Sequence, residues 1–144
     1  MTQRDLHNNI HVVSVIPPIS VSDNTAQVGA IIDTLGYNSL EFAINIGSVA
    51  DSDATFTVLV EDGDSYTAPS TLSDAAAVDD AYLLGLETQA SFQFDSDNTV
   101  RKIGYVGNKR YVRLTITPAS NSSAAVFGVV GLLGHPFTAA VSNP

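Results

Sequence analysis

The sequence predicts an all-β protein, an antiparallel β-sandwich of jelly-roll or immunoglobulin-like type with one short helix and extended terminal arms. Three observations predict it. Apolar side chains alternate with polar or small ones at a period of two, the pattern of strands with one buried face. Clusters of turn-forming residues separate these runs at short intervals. The chain has 144 residues, 44% hydrophobic and only 15% charged. That suits one domain, 1–144, burying about two-thirds of the surface its unfolded chain exposes.

The elements follow in order. Residues 1–22 read as an N-terminal arm, in which "IHVVSVIPPISV" places Pro17 and Pro18 between apolar stretches. Neither proline can donate to a central ladder, so the segment belongs at a sheet edge or in an arm that adds to a neighbouring subunit. Val13, Val15 and Ile16 are its candidate contacts. A strand is expected at 25–33. Leu40, Phe42, Ile44 and Ile46 alternate with Glu41, Ala43 and Asn45, and Phe56, Val58 and Val60 with Thr55, Thr57 and Leu59. "EDGDSYTAPSTLS", 61–73, is a loop by composition. "SDAAAVDDAYLLG", 73–85, is the expected helix, capped by Ser73, favoured by Asp74 in its first turn and ended by Gly85. Strands are expected at 90–94, 99–106 and 124–132, and Val112, Leu114 and Ile116 alternate in another. Residues 133–144 read as a C-terminal tail.

Net charge is −9, yet residues 99–117 hold five of the six basic side chains and no acid. The rest of the chain repels phosphate backbones, which argues against nucleic acid as a partner. Gly107-Asn108 reads as a two-residue hairpin turn pairing Lys102 with Arg113 and Tyr111 with Gly104. Directly opposed like charges need an anion nearby. The chain's own stretch 51–97, with eleven of the fifteen acids, supplies one source. An acidic surface on another protein is a second, and nucleic acid the disfavoured third. An internal or inter-subunit carboxylate is expected, the internal one first. Lys102, Lys109, Tyr111 and Arg113 are thus candidate contacts with another subunit or another protein.

Chemistry is sparse. The absence of cysteine excludes disulfides and thiol catalysis. His7 and His11 have a metal-ligand spacing but no accompanying glutamate, and Asp62 and Asp64 open no EF-hand loop. No Ser stands in a nucleophile elbow, and there is no Gly-rich phosphate loop. No catalytic, metal or cofactor residue is assigned, and no enzyme is expected. No apolar run reaches membrane-spanning length, and the polar start predicts no secretory signal.

"DDAYLLGLETQASF" followed by "TVRKIGYVG", "KRYVRLTITP", an apolar Ala/Val/Gly strand and "LGHP" covers about residues 79–136. It resembles small virion proteins of tailed bacteriophages, the head decoration, cement or minor capsid proteins encoded near the major capsid protein. The resemblance implies a late structural protein on the exterior of a phage head, assembled in the host cytoplasm. Its implied partners are the major capsid protein and its own copies, a trimer favoured over a dimer, with no membrane partner. It transfers no catalytic residue. The alternative is a tail- or spike-associated module recognising a host surface.

Overall fold

A computed structural model describes residues 4–68, 71–138 and 141. Its strands are β1 (Ile10–Val21), β2 (Gln27–Val28), β3 (Ile32–Asp33), β4 (Tyr37–Val49), β5 (Thr55–Gly63), β6 (Ser65–Thr67), β7 (Thr71–Ser73), β8 (Ala76–Ala77), β9 (Leu83–Leu84), β10 (Phe92–Gln93), β11 (Val100–Tyr105), β12 (Tyr111–Ala119) and β13 (Ala125–Pro136). A four-residue helix, α1 (Glu87–Ala90), precedes β10. One sheet has the order β1-β13-β4-β11-β9 and the other β10-β5-β12-β2, with β3 also on β12 and β8 on β5. All pairings are antiparallel. The protein is an all-β sandwich, as the alternation predicts.

The core lies between the sheets. Phe42, Ile44, Ile46 and Ile103 of the five-stranded sheet face Phe56, Val58, Val112, Leu114 and Ile116 of the other, all essentially excluded from solvent. Phe56 stacks on Phe92 at 4.8 Å, and Phe127 meets both rings edge-on, the offset and edge geometries that ring quadrupoles favour.

Several expectations change; the loop expected at 61–73 holds the end of β5 together with β6 and β7, and the strand expected at 25–33 is broken into β2 and β3. The hairpin at Gly107-Asn108 does not form: β11 pairs with β4 and β9, whereas β12 pairs with β5, β2 and β3 in the opposite sheet. Residues 106–110 therefore cross the sandwich. Lys102 lies opposite Ala43, Gly104 opposite Glu41 and Arg113 opposite Glu61. Two facing sheets and one hairpin give the same inward alternation, Ile103 and Tyr105 on one side of the link and Val112 and Leu114 on the other, so periodicity does not distinguish them. The crossing avoids the Lys102–Arg113 opposition and places each strand on a better partner.

The helix expected over 73–85 does not form; only a 3-10 turn at Asp80–Tyr82 is helical there. Ser73 ends β7, Asp74 is left-handed (φ 54°), and Ala76–Ala77 pair with Asp62 and Glu61. Val78 is buried in the core and its N–H donates to the Val60 carbonyl. So short a helix is marginal by itself, and sheet pairing plus burial outweighs alanine's propensity. Gly85 does break the chain (φ 90°), but between β9 and α1.

Residues 10–21 are not a free arm. They take the edge position, pairing with β13 through register shifts, the second of which contains Pro17 and Pro18. Val15 and Ile16 are buried in the chain's own core and Val13 packs against it, so Val15 and Ile16 are withdrawn as inter-subunit contacts. At the other end, Leu133 through Pro136 belong to β13. Residues 1–3 of the expected arm, and 139–140 and 142–144 of the expected tail, lie outside the described residues.

Candidate functional site

The basic stretch finds its anions within the chain. Arg113, directly opposite Glu61 across β12 and β5, donates from Nη2 to Glu61 Oε1 at 2.9 Å, with both side chains more than four-fifths buried. Arg110 grips Asp33 of β3 with two parallel bonds of 2.8 Å, and its guanidinium lies over the Tyr111 ring. That bond pair holds the Asp33 carboxyl below the usual carboxylate range. Lys109 pairs with Asp64. Tyr111 packs edge-on against Tyr66 of β6. Tyr111 and Arg113 therefore tie β12 to its neighbours and Lys109 ties the link before it, and the internal carboxylates take the role assigned to the first of the three suppliers.

Tyr105 braces the crossing. Its ring is buried in the core from the five-stranded sheet, and its hydroxyl donates to Asp62 Oδ2 on β5 at 2.7 Å while accepting the Lys109 N–H at 3.0 Å. Burial, and then the bond to the Asp62 carboxylate, push the phenol well above its ordinary value. The link wraps this ring so closely that a Cβ on Gly107 would collide with it.

Lys102 lies elsewhere. It is exposed on the outer face of the five-stranded sheet and makes no ion pair among the described residues. Strand register composes that face. One row runs Val12, Leu132, Glu41, Gly104, Leu84 across β1, β13, β4, β11 and β9; the next runs Ser14, Val130, Ala43, Lys102. A third holds Gly128, Asn45 and Val100, with Gly47 and Val126 beyond it. Val126 and Val130 are 38% and 39% exposed, Leu84 58% and Val100 63%.

Two hollows open on this face. One, of ≈ 490 Å³, is lined by Ser14, Pro18, Ala43, Asn45, Gly47, Gly128 and the flanking Val126 and Val130. The other, of ≈ 610 Å³, lies at the opposite end among Leu6, Leu40, Glu41, Leu84, Val106 and Leu132. The Glu41 carboxylate lies over Gly104, where a Cβ would meet its Oε2. This is the space the sequence assigns to the Tyr111 ring. Burial raises the Glu41 carboxyl above its ordinary value, and the Lys102 charge opposes that shift.

Charge separates this face from the rest of the molecule. The five strands carry Glu41, Arg101 and Lys102, a net of +1, so the remaining chain carries −10. An antiparallel sheet with a solvated outer face ordinarily alternates apolar with charged or polar residues. Here the outward positions are mostly Val, Leu, Ala and Gly, an apolar composition unusual for a solvated face. Sequence reasoning missed it, although the signal is present. "AVFGVVGLLG" is apolar on both faces, and "LEFAINIGSV" offers one charge in ten residues.

No family model matches the sequence, and no curated protein does. Among solved structures the chain is similar to a mitogen derived from Yersinia pseudotuberculosis, with 10% identity, a TM-score of 0.44, and coverage of 89% of this chain and 87% of that one. It is similar to a chain of the Kashmir bee virus empty particle at 10% identity and a TM-score of 0.42, covering 100% and 82%. A family two carbohydrate esterase from Cellvibrio japonicus shares 10% identity at a TM-score of 0.42, covering 95% of this chain, which spans a third (33%) of the esterase. Scores at this level carry no functional argument, which rests on the chain's own surface.

Proposed function

We propose that this protein is a structural component of a virus particle: a tailed-phage head decoration or minor capsid protein, not an enzyme. In this reading it assembles in the host cytoplasm, binds the head exterior as a homo-oligomer, and stabilises the shell beside the major capsid protein. The observation that carries the proposal is the nearly uncharged, apolar outer face of the five-stranded sheet on a chain of net charge −9. A free monomer gains nothing from presenting Val126, Val130, Val100 and Leu84 to water, whereas a subunit of an assembly buries them at about 25 cal/mol per Å². The acidic remainder suits an exterior position, since it repels packaged DNA and neighbouring particles. The resemblance of residues 79–136 to phage virion proteins supplies the setting. Each copy gains modestly, and many copies on one shell reinforce one another.

Co-sedimentation of the purified protein with empty capsids of its cognate major capsid protein tests this. Stoichiometric binding, and lower heat resistance of particles made without it, are expected. Particles that neither bind it nor lose stability in its absence overturn the proposal.

A further inference from the structure

We propose that the outer face of the five-stranded sheet is occupied by the same face of a second copy of this chain. A two-fold axis would set Glu41 of each copy against Lys102 of the other. This deepens the reading above by naming the partner of that face, and takes only its biological setting from that reading.

Charge is the first argument. Two copies at net −9 repel on any approach that brings their acidic surfaces together. The outer sheet face is the orientation that escapes this, because the strands beneath it hold a single acid. Glu41 and Lys102 lie in adjacent rows on neighbouring strands. A two-fold contact is self-complementary: whatever residue i meets at j, j meets at i. One acid beside one base is the smallest pattern that matches itself under such an axis. A partner of strong charge of either sign would leave one of the two opposed.

The area is sufficient. Three strands of twelve or thirteen residues and the six-residue β11, about 4.8 Å apart with a rise of about 3.3 Å per residue, make a face of about 600–700 Å² in plan. Two such faces bury about 1,200 Å² or more, within the range of specific complexes. The edge of this sheet offers a poorer route, since β1 is interrupted by Pro17 and Pro18.

The test is sedimentation velocity of the full chain over a wide concentration range. Val130→Asp, Glu41→Lys, Lys102→Glu and the Glu41→Lys/Lys102→Glu swap are run beside the wild type, and circular dichroism checks folding. The wild type is expected as a monomer–dimer equilibrium. Val130→Asp should weaken dimerisation at least about tenfold, because an unpartnered charge is buried. Each single charge reversal should weaken it about tenfold, and the swap should restore most of the loss. A wild-type monomer at every concentration, a trimer, a dimer indifferent to Val130→Asp, or a swap that fails to rescue would each overturn the proposal. Capsid co-sedimentation of the same variants separates the two readings. If the wild type is monomeric but binds particles, and Val130→Asp does not, the shell protein occupies the face; the two-fold proposal then falls and the virion role stands. If the wild type dimerises as described yet ignores particles, the virion role falls alone.

Discussion

Replacing Tyr105 by Phe removes one oxygen from a site that joins the two sheets. That hydroxyl makes two bonds, donating to the Asp62 carboxylate and accepting the Lys109 N–H. A hydrogen bond to a charged group contributes roughly 1.5–3 kcal/mol. Asp62 is only partly buried, so water replaces some of what is lost, and the expected cost is about 2 kcal/mol. For a chain of this length that lowers Tm by roughly 4–8 °C. Urea unfolding followed by circular dichroism should show a lower midpoint at unchanged slope, since the surface exposed on unfolding is the same. The decisive measurement is the cycle with Asp62→Ala. If residues 106–110 cross the sandwich, the two substitutions share one interaction, and their coupling should be at least about 1 kcal/mol. In a hairpin within one sheet, Tyr105 would face Arg110 and its hydroxyl would have no fixed relation to Asp62. Additivity of the two substitutions would refute the crossing.

Three further outcomes are expected. Arg113→Glu should destabilise more than Lys109→Ala by roughly 2 kcal/mol or more in thermal unfolding, because it sets two carboxylates together in a mostly buried position while the Lys109–Asp64 pair is solvent-screened. Equal effects would count against this ranking. Gly107→Ala should cost about 1–3 kcal/mol, since the new Cβ meets the Tyr105 ring and the link must shift; a neutral result in the same assay would contradict that packing. Glu41→Gln should raise monomer stability at pH 7, measured in the Val130→Asp background. The folded state raises this carboxyl through burial, so folding disfavours the ionised form, and stability falls as pH rises from the ordinary carboxylate value through the raised one. The neighbours that bear on it are Lys102, which opposes the shift, and Asp5 and His135, which line the same hollow. The advantage should vanish near pH 4 and below, where both states are protonated. A variant less stable than its parent at pH 7 would reverse the sign of the argument.

Strand positions were legible because burial on one side imposes a period of two: β4, β5 and β12 fall where Phe42, Phe56 and Leu114 place them. Partner choice was not legible. Gly107-Asn108 carries a hairpin's composition, yet what decides the matter is that β4 and β5 offer Ile103 and Leu114 better neighbours than either offers the other, a comparison of distant segments that no local signal contains. The helix expected over 73–85 failed for a related reason, since Val78 finds a place in the core only if the chain is extended there. The apolar outer face of the five-stranded sheet was legible in the sequence, although charge is its less conspicuous signal. Five cations stand out in residues 101–113, where three of them are paired internally, while the informative feature is that β1, β4, β11 and β13 together carry a single acid, Glu41.

Those two facts have one cause. A chain this acidic must neutralise the carboxylates that its fold forces together, and Glu61, Asp64 and Asp33 converge on β12 because β5, the loop after it and β3 surround that strand. Arg113 on β12, with Lys109 and Arg110 just before it, pairs these three carboxylates within the six-stranded side of the sandwich. The five-stranded side needs no such correction, because its strands carry a single acid, Glu41, with Asp5 beside it at one hollow, and its outer face is free to be apolar. The basic stretch then pairs carboxylates within one side of the sandwich, and the proposed dimer uses the other. A charge reversal on β12 should therefore register first as lost stability, and a charge introduced at Val130 first as lost association with folding intact. If the two positions exchanged phenotypes, this division between the sheets would be wrong.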